Sequence, residues 1–373
     1  MSDNKQLNLL GSDLQELAGV ASRFSQPGYR AQQLFEAIYR KRVGTLDDIS
    51  TLPKDFKSSL GQGGYALRLP QVDKKFESND GTVRYLISFA DGQSVESVWM
   101  PEGDDGEEGD GSEAGEQSAG TQGRWSRSTI CVSSQVGCAV DCQFCLTALL
   151  GVKRNLDAGE IVGQVCAVLR NQGVSPPEQR VNLVFMGMGE PFLNYDNFVK
   201  AVRLLVDGVG IPESRMTVST AGIVPRIADF GKELVRPKLA ISLNASNDEL
   251  RSRLMPINRK WNLEKLLAAA REFPLRTRER LTFEYVLLDQ VNDSSQNARE
   301  VVSLLRRIRA KVNLIALNPG PGIHFQTPAE ARVLTFQQTL RQAGIPTFIR
   351  RPRGRDIYAA CGQLKRTAEV GAV

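Results

Sequence analysis

The chain has 373 residues, 41% hydrophobic and 24% charged, an ordinary soluble composition with enough apolar material for a sizeable core in one large domain and a smaller one beside it. The first thirty residues lack a basic stretch followed by an apolar run, and no window holds the roughly 18 uninterrupted apolar residues of a membrane helix, so a cytoplasmic protein without membrane contact is expected. The net charge of +5 hides a more basic body: residues 101–123 carry eight acidic residues and no Lys or Arg, leaving +13 on the rest, which suits either a nucleic-acid partner or an ordinary solvated basic surface.

In chain order, the first seventy residues suggest short helices, DLQELAGVASRF, YRAQQLFEAIYRKRV and TLDDISTLPKDFKSSLGQ, from apolar positions at helical spacing. The middle one sets Leu34, Ile38 and Tyr39 against Arg30, Arg40, Lys41 and Arg42. Residues 1–75 therefore form either a small helical RNA-binding accessory domain or a helical pack with a solvated basic face. TVRYLISFADG and SVESVWM alternate with a period of two around Asp91-Gly92, the pattern of a β-hairpin, so residues 76–128 are assigned to a β adaptor. Within it, residues 101–124 are acidic and rich in Gly and Ser, which predicts a disordered loop.

From residue 129 strand-like runs (STICVSSQ, RVNLVFMG, MTVSTAG, KLAISLNA, LTFEYVLLDQ, KVNLIALNPG, PTFIRRP) alternate with helical ones. That rhythm predicts an α/β fold, a partial (β/α)6 barrel or open parallel sheet over residues 129–355, followed by a tail at 356–373. Such folds place their chemistry in the loops after the strands, which here hold Met188-Gly189-Glu190, Ser219-Thr220, Ser242-Leu243-Asn244 and Asn318-Pro319.

Four of the six cysteines fall in CVSSQVGCAVDCQFC, residues 131–145. Cys138, Cys142 and Cys145 form C-x3-C-x2-C just after the first barrel strand, and three thiolates on one loop can hold three irons of a [4Fe–4S] cube, leaving one iron open to a small ligand. A structural zinc would want four closed ligands, usually in C-x2-C pairs, and the lone histidine, His324, is far away in sequence. Cys166, in GEIVGQVCAVL, falls on the buried face of a helix and is assigned to the core.

The cysteine spacing at the head of a βα barrel resembles the radical S-adenosylmethionine superfamily. With KRNL, MGMGEP, MTVSTAG, AISLNAS, LMPINRK, VNLIALNPGPG and DIYAACGQL, in order from about residue 30 to 365, the chain resembles the RlmN/Cfr family of RNA adenine methyltransferases. The resemblance implies a radical-SAM barrel with a [4Fe–4S] cluster on Cys138, Cys142 and Cys145 and two molecules of S-adenosylmethionine per turnover. It places Gly189 and Glu190 at the methionine part of that cofactor, with Ser219, Ser242, Leu243, Asn244 and Asn318 completing its site. Asn244 stands where some relatives carry histidine; it keeps hydrogen-bonding capacity but cannot titrate near neutrality.

By the same resemblance, Cys361 is the thiol methylated by one S-adenosylmethionine, and a radical from the second removes a hydrogen from the S-methyl group. The methylene radical adds to adenine, giving a covalent protein–RNA adduct. Cys131 matches the thiol that resolves it through a transient disulfide with Cys361, which requires Cα atoms within about 7 Å and hence a tail folded back over the barrel mouth. Glu96, in VESVWM, matches the family's proton acceptor, with Cys131 a competitor for the same proton. The implied activity is methylation of carbon 2 of adenine in the peptidyl-transferase loop of 23S rRNA and in tRNA next to the anticodon, by a cytoplasmic monomer supplied by an electron donor such as flavodoxin. Two alternatives stay open: Cfr-type methylation of carbon 8, and an iron–sulfur RNA-binding protein without catalysis, which would need neither Cys131 nor Cys361.

Overall fold

A computed structural model describes residues 6–101 and 127–364; the expected acidic loop, beyond Pro101, and the end of the tail lie outside the described residues. The chain starts with β1 (Leu7–Asn8), then α1 (Leu14–Arg23), α2 (Tyr29–Phe35) and α3 (Lys54–Gln62), and β2 (Tyr65–Ala66) pairs with β1. α1 begins where the Asp13 carboxylate caps the Glu16 N–H and the Glu16 side chain returns to the Asp13 N–H, a reciprocal capping box. The helix expected over residues 45–62 starts only after Pro53, because the residue before a proline is pushed out of helical geometry; residues 44–52 form bends and turns instead.

Leu34, Ile38 and Tyr39 are fully buried, as their spacing predicts. Arg42 departs from the basic face assigned to it. It is 9% exposed, and its Nη2 donates to the Val174 carbonyl at 3.3 Å and to Ser175 Oγ at 3.0 Å, so it fastens the helical region to the large sheet's helical layer. Its position next to Arg40 and Lys41 in sequence hid a φ of 52°, which turns it away from them.

Among the described residues, a ten-stranded open sheet follows. β3 (Gln71–Glu77), β4 (Val83–Ser88) and β5 (Ser94–Pro101) form an antiparallel meander, and β5 pairs with β6 (Ser128–Cys131), where the parallel part begins. A small antiparallel pair, β7 (Gln135–Gly137) and β8 (Val152–Asn155), flanks the cysteine loop. Next come α4 (Ala158–Gln172), β9 (Val181–Phe185), α5 (Tyr195–Leu204), β10 (Met216–Thr220), α6 (Val224–Gly231), β11 (Lys238–Ser242), α7 (Asp248–Leu254) and α8 (Leu263–Glu272). β12 (Leu281–Leu287), α9 (Ser295–Leu305), β13 (Ala310–Ala316), α10 (Glu330–Gln342) and β14 (Thr347–Arg350) complete the order. Six βα units thus run from β6 to α10, with β14 added at the edge: a partial barrel whose sheet, among the described residues, does not close.

Alternation along the strands sorts the residues by face. In β9, Val181, Leu183 and Phe185 are at most 1% exposed, whereas Asn182 and Val184 are half-buried; Met216 and Val218 of β10 are buried while Thr217 and Ser219 are half-buried. Paired residues of adjacent strands share a face, so Cys131, Val184 and Thr217 form one inward row and Ser242, Glu284 and Asn313 another. The outward rows join the main core, which includes Cys166 at 0% exposure, as its helical position predicts.

Candidate active site

The cysteine loop is closed at its base by glycine. Gly137 has φ +83°, and a Cβ there would lie 1.7 Å from the Gly151 carbonyl oxygen, so only a residue without a side chain lets the loop ends cross. The loop is docked by the Gln143 N–H donating to the Leu254 carbonyl at 3.0 Å, and Val140 and Phe144 pack with Ala221, Leu254 and Met255 while Cys138 and Cys142 lie against them. Burial, followed among the raising causes by the Cys145 sulfur, pushes Cys138 up to about 12. Burial and then Cys145 and Cys138 hold Cys142 well above the usual thiol range, so the three sulfurs share one locale.

Among the described residues no three His, Cys, Asp or Glu side chains converge on a single ion position. Three soft sulfur donors in an apolar seat instead suit a cube whose irons occupy separate corners.

The MGMGEP segment lies against the stretch after β6. Ser134 N–H donates to the Met188 carbonyl at 2.8 Å, and Glu190 N–H donates to Gln135 Oε1 at 2.9 Å. Gly189 has φ +98°, and a Cβ there would sit 2.7 Å from the Gln135 backbone nitrogen, so glycine is required for the close approach. Glu190 is 4% exposed and accepts from Phe192 N–H at 3.0 Å and Ala221 N–H at 2.7 Å; burial outweighs these bonds and raises its carboxyl to about 7.

The other strand ends converge on the same side. Ser219 Oγ donates to Glu284 Oε2 at 2.7 Å and lies 3.3 Å from Ser242 Oγ, while Leu243 N–H donates to the Glu284 carbonyl at 2.9 Å. Asn244 is 3% exposed with φ 56°; its Oδ1 accepts from Val286 N–H at 2.8 Å and its Nδ2 donates to Met255 Sδ at 3.2 Å, so its side chain shapes the loop. Asn318 is buried two residues beyond β13.

The tail folds back over this end of the barrel. Leu146 N–H donates to the Gly362 carbonyl at 2.8 Å, Thr147 Oγ1 to the Leu364 carbonyl at 2.7 Å, and Gln363 Nε2 to the Pro319 carbonyl at 3.0 Å. Gly354 N–H reaches Asp80 Oδ2 at 2.9 Å, tying the tail's start to the turn between β3 and β4. Cys361 is solvent-accessible yet set among enough protein atoms that desolvation, then the Glu284 carboxylate, pushes its thiol up to about 11. Burial raises Cys131 as well, with Cys361 the next cause and Glu284 a further one, so both thiols and this carboxylate lie within reach of one another's fields. All six cysteines are free thiols.

Glu96 is fully buried and ion-paired with Arg84. The register sets Arg84, Val98 and Cys131 side by side, so Glu96, two residues from Val98, projects from the same face of the sheet as Cys131.

Residues 132–302 match the family model of the radical SAM superfamily. A probable dual-specificity RNA methyltransferase RlmN of Koribacter versatilis (strain Ellin345) is 68% identical over 348 residues, 93% of this chain and 99% of that protein. The chain belongs to the RlmN family. A dual-specificity RNA methyltransferase RlmN of Syntrophobacter fumaroxidans is 45% identical, covering 96% of this chain and 97% of that protein. The crystal structure of a radical SAM methyltransferase from Sphaerobacter thermophilus matches with a TM-score of 0.86 at 40% identity, covering 97% of this chain and all of that one. The chain is accordingly a radical SAM RNA methyltransferase, and its cofactors are a 4Fe–4S cluster and S-adenosylmethionine.

Among the charged residues here, Arg84, Glu284 and Arg251, whose Nη2 donates to the Ala221 and Ser242 carbonyls at 2.7 and 3.0 Å, were not singled out by sequence. Glu284 interrupts the apolar run of β12, which was a visible signal; Arg251, on the seven-residue α7, had none, because a short polar helix carries little apolar periodicity.

Proposed function

We propose that this chain methylates carbon 2 of adenine in 23S rRNA and in tRNA next to the anticodon, through an S-methylated Cys361 and a covalent protein–RNA adduct. The observation that carries the reading is the tail, which sets Cys361 by the barrel mouth within the field of Cys131. The names of the relatives supply the dual specificity, as a property of those proteins.

When bound, the cluster and S-adenosylmethionine supply a methyl group and, after electron transfer from a donor such as flavodoxin, a hydrogen-abstracting radical. Cys138, Cys142 and Cys145 hold the cluster on their loop. Gly189 admits the methionine end without a clash, and Glu190, Ser219, Ser242, the Leu243 backbone, Asn244 and Asn318 line or shape the remaining cofactor site. Cys361 accepts the methyl group on sulfur; once that methyl has lost a hydrogen atom to the radical, its carbon bonds to adenine, whose ring carbon is too weakly nucleophilic to take a methyl cation directly. Cys131 then attacks the Cys361 sulfur: the S–S bond forms as the sulfur–carbon bond to the adduct breaks, and the freed carbon takes up a proton to become the product methyl group. Both Glu96 and Cys131 face the inner side of the sheet, where either can take the adenine proton. Residues 1–75 contribute RNA binding through exposed Arg40 and Lys41, in a cytoplasmic monomer.

Anaerobic protein is tested on rRNA and tRNA transcripts, with the methylated carbon identified by mass spectrometry. An 8-methyl product would replace the carbon-2 assignment by carbon 8. Cys361→Ala is expected to reduce methylation to background while keeping its iron; full methylation by that variant would overturn the mechanism.

A further inference from the structure

Arg251 is fully buried, and every hydrogen bond it donates goes to a neutral acceptor. Nε meets the Leu243 carbonyl at 3.1 Å, Nη2 meets the Ala221 and Ser242 carbonyls at 2.7 and 3.0 Å, and Nη1 meets Asn258 Oδ1 at 3.0 Å. Two other deeply buried arginines have carboxylate partners: Arg84 pairs with Glu96, and Arg236 with Glu279 at 3.0 Å. Among the described residues no carboxylate lies within ion-pair distance of Arg251. Carbonyl dipoles solvate a cation only in part, so a guanidinium enclosed this way leaves a site for an anion.

The helix that carries Arg251 packs on the cysteine loop. Arg251 sits one turn before the end of α7, whose last residue, Leu254, takes the Gln143 N–H at 3.0 Å between two of the loop cysteines. Leu250 and Leu254 pack with Val140 and Phe144 of the same loop, with Cys138 and Cys142 against them.

We infer that Arg251 is the built-in counter-charge of the iron–sulfur cluster, a positioning residue that raises the cluster's electron affinity. This rests on the assignment of Cys138, Cys142 and Cys145 as its ligands. Burial pulls Arg251 down to about 10, and the Cys142 sulfur is the first of the charges that oppose the fall, ahead of Asp248. A cluster on three thiolates gains one negative charge when an external donor delivers one electron, and no bond forms or breaks in that step. A fixed positive charge stabilises the more negative state further, so it shifts the equilibrium toward reduction. The same side chain ties the Ser242-Leu243 strand end to Ala221, whose N–H holds Glu190, linking the cluster's electrostatics to the proposed cofactor loops.

The test is an EPR-monitored redox titration of anaerobically reconstituted wild type, Arg251→Gln and Arg251→Lys, with iron content and circular dichroism measured beside it. Arg251→Gln is expected to lower the reduction equilibrium constant at least tenfold, about 59 mV for one electron, and Arg251→Lys to stay within about threefold of wild type. An unchanged potential in Arg251→Gln overturns the inference, as does an equal shift in Arg251→Lys, which would make the clamp geometry rather than charge responsible. If Arg251→Gln folds without retaining iron, retention by Arg251→Lys supports the counter-charge and loss from both overturns it. A wild-type chain that takes up no iron would instead bring down the ligand assignment on which the inference stands.

Discussion

The two faces of the barrel strands follow different rules although they belong to the same few residues. Outward positions such as Leu183, Val218, Ile241 and Phe283 are at most 1% exposed and meet the helices, whereas the inward neighbours Val184, Ser219, Ser242 and Glu284 are half-buried. A strand whose two faces are both covered would be apolar throughout. Here one face holds the fold, while the other carries the half-buried polar groups Ser219, Ser242 and Glu284 among covered neighbours such as Asn313, so stability and chemistry are separable at a distance of one residue.

The sharpest way to break that comparison is a pair of adjacent substitutions in β12. Phe283→Ala removes a fully buried ring from the outward row and is expected to cost about 3–5 kcal/mol in urea unfolding. Glu284→Gln, next to it, should leave unfolding within about 1 kcal/mol of wild type, because the amide oxygen can still accept from Ser219. Equal costs at the two positions would mean that the inner face is as structural as the outer one.

The same division explains what could be read in sequence. The cysteine loop stands out in sequence because Cys138, Cys142 and Cys145 lie within eight residues of one another, whereas Ser219 and Ser242, each an ordinary turn or cap candidate, are singled out only by family resemblance. The α/β order is legible because β9 to β13 keep apolar outward rows. Arg42 looked like part of a solvated face because composition does not carry φ, and α7 was missed because its seven residues are largely polar. The nearness of Cys361 to the cysteine loop depends on carbonyls at Gly362, Leu364 and Pro319, groups every residue possesses, so only family resemblance pointed to it.

A second test places the inner face's electrostatics against its stability. Glu190 is nearly enclosed, and its carboxyl is raised from 4.5 to about 7, so the folded state binds that proton more tightly than the unfolded state. The sign follows directly: its contribution favours folding below about pH 4.5, declines as pH rises through the interval to about 7, and stays lost above it. The full swing is about 3 kcal/mol at most. In cluster-free protein, urea midpoints measured from pH 4.5 to 8 should fall for wild type relative to Glu190→Gln, whose profile should be flatter across that window. Identical slopes for the two proteins would remove Glu190 as the source.

The smallest effect is the most local, and it concerns charge without burial lost. After desolvation, Glu284 is the largest cause of the high Cys361 thiol, and it also raises Cys131. Glu284→Gln removes the negative charge while leaving the cavity nearly the same size, so the Cys361 thiolate becomes easier to form. Alkylation of cluster-free protein with iodoacetamide, followed across pH by peptide mass spectrometry at Cys361, should show its midpoint moving to lower pH in the variant. If the Glu284→Gln midpoint coincides with wild type, the carboxylate does not act on Cys361, and the inner face loses its electrostatic link between the β12 strand and the tail.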